Sequence, residues 1–390
     1  LPAPDINWGL DYPDFGNTRW LHCCSYRCAG IPGGESLDGS LDDLCPGLLE
    51  LVQLTFDKLS TTLGIFDPWE WRPKHGRGAV SDLKRGQYKY LFPSWSERLE
   101  TVFPYADFAN VHYQHWADTL GESIEDGSNA SSRLAAVKKT QKAPRLIASE
   151  PVAHQWCQQA ILDFFDTRFT KSWIGKFVRL HDQSFNQEGA RLASVHGDAW
   201  TVDLSAASDC VSLRLVERIF RLNPSVLSAL HASRTQFLVQ NLDKKSPHRI
   251  ELKKFATMGS ACTFPVETIA FLGLALAATL YSRKLPARDW AIKTLEGAIR
   301  VYGDDIVIPA DAGENLERLL THFNFEVNQA KTHRNGRFRE SCGLEVYAGS
   351  EVTPAYYLRP FEPRSPESLI SCVESSNNLF LKGWWNASSA

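Results

Sequence analysis

Two short stretches hold the acids best placed for chemistry. Tyr302-Gly303-Asp304-Asp305 sets adjacent carboxylates between Ile299 and Val301 on one side and Ile306, Val307 and Ile308 on the other. This is the pattern of a hairpin with Gly-Asp-Asp at its tip. Like charges that close raise each other's pKa, and a bound cation removes that cost. A solvated Asp-Gly turn is the plain alternative; the paired acids and the β-branched flanks set this one apart. The second stretch, Trp200 to Leu204, is a short β-prone run carrying Asp203. An acid at the end of a buried strand can share cations with a neighbouring tip. Such a set suits phosphoryl transfer with two cations about 3.5–4 Å apart, one activating a hydroxyl and one holding a triphosphate. Mg²⁺ is the expected ion, because it takes oxygen ligands and keeps positions open for phosphates; Mn²⁺ can substitute. Asp203 and Asp304 are expected to bind both ions, with Asp305 supporting them from the side.

These acids need elements to hold them. The apolar spacing predicts a helix within 44–63, with Leu48, Leu51, Leu54 and Leu59 on one face, and another over 155–180. Gly121 to Ser132 reads as a polar loop, followed by a basic segment with Arg133, Lys138, Lys139, Lys142 and Arg145. Ser208 and Asp209 look like the cap of a helix over 210–222. A loop over 255–265 leads into a long helix over 266–283, and a further helix spans 315–323. Short strands are expected at 325–327 and 344–347. The apolar run Ile269 to Tyr281 is too short for a span of roughly 20 residues and reads as a buried helix.

Composition narrows the class. The 390 residues are 43% hydrophobic and 22% charged, enough for a large core. The net charge of -3 leaves no global basic signal, so an RNA-binding role requires cations gathered in a channel. Nine scattered cysteines do not form a secreted disulfide framework, which points to a reducing cytosol. Cys23, Cys24, Cys28 and Cys45 with His22 lack paired zinc-ligand spacing and read as buried or free thiols.

Seven blocks, in order, resemble the catalytic subunit of the single-stranded RNA phage replicases, the levivirus or Q-beta type. Lys138 to Pro151 resembles polymerase motif F, and HDQSFNQ from His181 resembles a phage segment ahead of motif A. Val202 to Ser212 resembles motif A, Met258 to Thr268 motif B, Tyr302 to Asp305 motif C and Asn324 to Thr332 motif D. Phe338 to Gly349 resembles motif E. The resemblance covers roughly residues 138–360.

It implies an α+β right-hand polymerase with an antiparallel palm sheet. Fingers would come mainly from 1–200, palm from 201–349 with inserted finger segments, and the start of a thumb from 350–390. The implied reaction is RNA-templated attack of a 3′-hydroxyl on a nucleoside triphosphate. Lys142 and Arg145 would hold the nucleotide, Arg145 by a bidentate phosphate contact. Lys138, Lys139, Tyr302 and Gly303 would meet template or product RNA. Lys331 resembles the motif D lysine, a general acid for pyrophosphate. Asp209 is either a helix cap or a ribose contact. Gly259, Ser260 and Thr263 would meet the sugar or template, although the family usually shows Asn where Ser260 stands; a plain helix-entry loop is the alternative.

Rival readings have their own signatures. A reverse transcriptase calls for an aromatic gate after Asp203, where Ser205, Ala206 and Ala207 are small. A catalytically dead RNA-binding scaffold calls for a lost carboxylate, and all three are present. A polymerase of the related capsidless RNA elements of fungi is a third reading. The family further implies host elongation factors Tu and Ts, a ribosomal RNA-binding protein, no membrane, and work in the bacterial cytoplasm. Leu1 in place of Met, and Phe380, Trp384 and Trp385 near the C-terminus, lead to the expectation of an incomplete thumb and of truncation at both ends.

Overall fold

The computed structural model describes residues 46–389 apart from 77, 85–87, 91, 111–124, 127–129, 139–143, 243 and 358–359. Lys139, Lys142, His22 and the four cysteines at 23–45 lie outside these residues.

The centre is an antiparallel sheet of three strands. β3 (Ala199–Val202) and β7 (Arg300–Tyr302) flank β8 (Asp305–Pro309). Ile306 pairs with both Val202 and Val301, and Asp305 pairs with Tyr302 across the expected hairpin. Successive side chains face opposite ways, so Ile306 and Ile308 point to one layer and Val307 to the other. On the first face lie α7 (Thr263–Ser282) and α8 (Ala310–His322); on the second lies α3 (Ser184–His196). Close approach is bought by small residues. A side chain at Gly189 of α3 would strike Arg300, and one at Gly313 of α8 would strike the ring of Trp200.

α7 is apolar all round because it is surrounded. It packs on α1 (Pro46–Thr62) and α8 as well as on the sheet. α7 is also long and apolar enough to cross a membrane, but most of it is buried within the fold. α1 corrects the expected stripe. Leu48, Val52, Phe56, Leu59 and Leu63 face inward at helical spacing, whereas Leu54 is 45% exposed.

Beyond β3 the chain makes a small second ladder, β4 (Leu204–Ser205) with β9 (Glu326–Val327). β10 (Phe338–Ser341), β11 (Leu344–Tyr347) and β12 (Ser350–Glu351) form a meander against α3. A four-stranded sheet runs in the order β2-β1-β5-β6, from β1 (Ser131–Lys138), β2 (Pro144–Ser149), β5 (Phe237–Val239) and β6 (Arg249–Glu251). It has its own small core of Leu134, Ala148, Leu238 and Leu252. The loop expected up to Ser132 therefore ends earlier, because Ser131 and Ser132 pair with Phe237 and Leu238. The helix expected over 155–180 is α2 (Val152–Lys171), closed by a short 3-10 turn at Trp173–Lys176.

The expected cap is also corrected. Asp209 lies inside a single turn, α4 (Ala207–Cys210), and the next helix, α5 (Leu213–Ile219), is capped by Ser212, whose side chain accepts from the Leu215 amide. The C-terminal part carries α9 (Pro366–Leu381), with Phe380, Trp384 and Trp385 exposed.

Candidate active site

An open cleft of about 710 Å³ lies at the end of the central sheet. Four separate blocks reach it. Asp203 comes from the break between β3 and β4, and Asp304 from the β7–β8 turn. Arg145 comes from β2, and Lys331 from the loop after β9. Asp209, Gly259, Ser260 and Thr263 complete one wall.

The turn has Gly303 at φ +59, where a glycine costs least, with Asp304 as its second residue. The Gly303 amide donates to Thr268 Oγ1 of α7 at 3.1 Å, and Phe264 stacks edge-on against Tyr302 at 4.9 Å. The tip is thus pinned to the helix beneath it. Asp203 is held from the other side: Asn328 donates through Nδ2 to its Oδ2 at 2.8 Å, and the Asn328 amide donates to its carbonyl at 2.9 Å. Lys331 Nζ stands 3.9 Å from Asp203 Oδ2.

Electrostatics follow from this crowding. Burial, then the Asp203 charge, raises the Asp304 carboxyl. Asp305 is pushed up to about 7, by burial first and then by Asp304. Asp305 does not line the cleft; its carboxyl stands behind the tip, near Ser341. Partial burial opposes the charged form of Lys331, but Asp203 and the other nearby acids outweigh it and raise its pKa.

The glycine of the wall is obligatory. Gly259 has φ +151, and a Cβ there would lie 1.8 Å from the Ala148 carbonyl oxygen. Ala148 in turn donates its amide to the Met258 carbonyl at 2.8 Å, so β2, which carries Arg145, is bonded directly to this loop. Asp209 is almost wholly buried and pairs with Lys254, whose side chain is 0% exposed. Lys138 ends β1, and Tyr302 and Gly303 lie beside the cleft without lining it.

Sequence reasoning missed three contributors. Asn328 orients Asp203, and Lys254 neutralises Asp209. Glu267, on α7, lines the cleft with its Oε2 buried and without a hydrogen-bond partner. Burial, then Asp304 and Asp209, raises its carboxyl far above the usual range. Its signal was available: Glu267 is the one acid in the otherwise apolar and neutral α7.

The chemistry of the donors fits a divalent cation. Asp203 and Asp304 offer oxygens to one space and repel each other there, which a cation relieves. Among the described residues no three acid, imidazole or thiol side chains enclose an ion by themselves. Mg²⁺ bound to few carboxylates takes its other oxygens from water and phosphates.

Known proteins point the same way. A family model described as RNA replicase, beta-chain, matches residues 97–384. The RNA-directed RNA polymerase beta chain of Enterobacteria phage GA is 34% identical over 273 residues, which is 70% of this chain and 46% of that protein. The corresponding chain of Escherichia phage MS2 is 32% identical over 263 residues, covering 67% and 43%. The RNA-directed RNA polymerase subunit beta of Escherichia virus Qbeta is 32% identical over 267 residues, covering 65% and 40%. The chain spans less than half the length of each of these relatives. The match runs through every block that builds the cleft, and on it the chain belongs to the RNA replicase beta-chain family.

Proposed function

We propose that this chain carries the catalytic centre of an RNA-directed RNA polymerase that copies a phage RNA genome from nucleoside triphosphates. The observation that carries this reading is the convergence of Asp203, Asp304, Arg145 and Lys331 on one cleft from four distant blocks. Asp203 and Asp304 would hold Mg²⁺, with Asp305 behind them; when bound, the ions supply an activated hydroxyl and neutralise phosphate charge.

The chain's own residues do the rest. Asn328 fixes the Asp203 carboxylate, and Thr268 fixes the turn that presents Asp304. Arg145 grips the triphosphate from the opposite wall. Lys331, kept protonated by the acids around it, donates a proton to the departing pyrophosphate. Ser205, Ala206 and Ala207 line the cleft with small side chains and leave room for a ribose, which disfavours a reverse transcriptase.

In this reading the central sheet is the palm. The β2-β1-β5-β6 sheet belongs to the fingers, and the helices after residue 350 begin the thumb. RNA template and product occupy the cleft mouth, near Tyr302, and Lys138 and Lys139 contact that RNA. The reading extends to a bacterial cytoplasm and to host elongation factors Tu and Ts with a ribosomal RNA-binding protein.

The test is single-nucleotide extension of a primed RNA template with Mg²⁺, offering ribo- and deoxynucleotides separately. Template-matched ribonucleotide addition is expected. Failure both to add and to bind Mg²⁺–nucleotide overturns the reading, and equal use of deoxynucleotides turns it toward reverse transcription.

A further inference from the structure

We propose that Glu267 takes a sugar hydroxyl of the incoming nucleotide and so sets the preference for ribose. The inference rests on the nucleotidyl-transfer reading above and assigns a residue that the sequence motifs left without a role.

Glu267 is only 7% exposed yet lines the cleft, and its Oε2 is buried with no hydrogen-bond partner. A buried acid left unpaired is costly, and native folds satisfy nearly all such groups. The neighbouring acids differ. Asp203 Oδ2 accepts from Asn328, and Asp209 Oδ1 accepts from Lys254. Asp209, the other acid near a ribose site, is engaged in a buried ion pair with Lys254 and belongs to the wall.

Glu267 is also rigidly aimed. One residue on, Thr268 is bonded to the Gly303 amide; one turn back, Phe264 lies against Tyr302. A Cβ at Gly303 would stand 3.2 Å from Glu267 Oε1, so the carboxyl packs directly against the turn that bears Asp304.

The surroundings choose the ligand. Glu267, Asp209 and Asp304 would repel a phosphate. Ser260 and Thr263 add hydroxyls to the same wall, and Ser205 to Ala207 leave it uncrowded. A neutral group rich in hydroxyls fits, and in a nucleotide that group lies next to the α-phosphate. Ionised, the carboxyl accepts from such a hydroxyl; protonated, it can also donate to one.

The experiment measures equilibrium binding of ATP, 2′-deoxy-ATP and 3′-deoxy-ATP with Mg²⁺. The chain is loaded with a primed RNA template whose primer ends in a 3′-deoxynucleotide, so nothing is incorporated. The unaltered chain should prefer ATP over at least one analogue by about tenfold, the worth of one hydrogen bond to a carboxyl. Glu267→Ala should lose most of that preference and Glu267→Gln should keep part of it. The analogue whose penalty disappears identifies the hydroxyl. Both variants should melt at or above the unaltered temperature, since an unpaired buried acid is removed; a purely structural residue would lower it.

Retention of the sugar preference in Glu267→Ala overturns the inference, as does equal binding of all three nucleotides by the unaltered chain. So does a Glu267→Gln variant that weakens Mg²⁺ binding without nucleotide and leaves the preference intact. In each case the polymerase reading stands. Failure of the unaltered chain to bind any Mg²⁺–nucleotide strikes that reading instead.

Discussion

The two ends of α7 sit in contrasting surroundings. From Ile269 to Leu280 the helix is wholly buried, and the threonine hydroxyls at Thr55 and Thr279 are hydrogen-bonded. Thr55 donates to the Gly273 carbonyl at 3.1 Å and Thr279 to the Ala275 carbonyl at 2.8 Å. Arg339, buried against the far face of the sheet, donates to the carbonyls of Ala199 and Phe338 at 2.7 Å each. At the other end, Thr263 and Glu267 line a cleft where Glu267 Oε2 and Ser208 Oγ have no partner and Asp304 resists ionisation, as does Asp305 behind it. The body is arranged for stability. Unpartnered buried atoms occur in the body too, at His154 Nε2 and Arg300 Nε among others, but in the cleft they stand beside crowded acids, where cations, phosphates and a sugar can satisfy them.

The sharpest way to break this contrast is Asp304→Asn. It removes a charge that the fold pays for and the proposed chemistry needs. Nucleotide addition should fall about 10³-fold or more, the order expected when several kcal/mol of transition-state stabilisation are lost. The melting temperature should stay level or rise. Activity within tenfold of the unaltered chain, at matched circular dichroism, would sink the metal assignment.

Asp209→Ala should do the reverse. It breaks the ion pair of the buried Lys254, at a cost of about 3–5 kcal/mol in unfolding free energy. Asp209→Leu combined with Lys254→Met should recover most of that loss. Urea unfolding measures both, and a single variant no less stable than the double one would show that the pair is not structural.

How much of this was legible beforehand follows the same division. The β7–β8 hairpin was readable because two β-branched runs flank a Gly-containing turn, a purely local signal. β11 appeared at its expected residues, Leu344 to Tyr347. The long buried helix was also expected, and it begins three residues earlier, at Thr263. What escaped depends on distant pairing. The start of α5 is fixed when the Leu213 amide bonds the Lys253 carbonyl and the Phe255 amide bonds the Val211 carbonyl. No local pattern announces that. The β1–β5 pairing joins segments about a hundred residues apart. The block order named Asp203, Asp304, Arg145 and Lys331, which the structure brings to one cleft, whereas the partners that position or balance the cleft acids, Asn328, Thr268 and Lys254, needed coordinates.

Changing pH should titrate the two regions in opposite senses. His154, in the body, is held neutral down to about 4, by burial first; its bond to the Ser233 carbonyl opposes this and Arg98 adds to it. The unfolded imidazole titrates near 6.5, so the unfolded chain binds the proton first as pH falls. That stability is full above about 6.5 and is lost as pH drops to 4, by about 3 kcal/mol. Asp305 has a folded value near 7, against about 3.9 unfolded. Its contribution is present below about 4 and lost as pH rises through 7 in metal-free protein. Melting at pH 5 should therefore be little changed by Mg²⁺, while melting at pH 8 should rise with it. His154→Leu should flatten only the acid limb. A Mg²⁺ effect equal at both values would separate the ion from these carboxylates.

The smallest expected effect compares two serines that the sequence pattern ranks the other way. Ser208 stands where a cap was expected, yet its hydroxyl is buried in the cleft wall without a partner. Ser212 is the observed cap of α5, accepting from the Leu215 amide at 3.1 Å. Removing a cap exposes an orphan amide and costs about 1 kcal/mol. Removing an unpaired hydroxyl relieves a buried polar atom and costs nothing of that kind. Ser212→Ala should therefore lower the urea midpoint, and Ser208→Ala should leave it level or raise it. The same pair then reports on the cleft. If Ser208 stays unpaired until a ligand arrives, its alanine variant loses nucleotide affinity with no loss of fold, whereas Ser212→Ala loses fold with no change in affinity per folded molecule. Equal destabilisation by both would place the cap back at Ser208 and remove that residue from the cleft's unmatched groups.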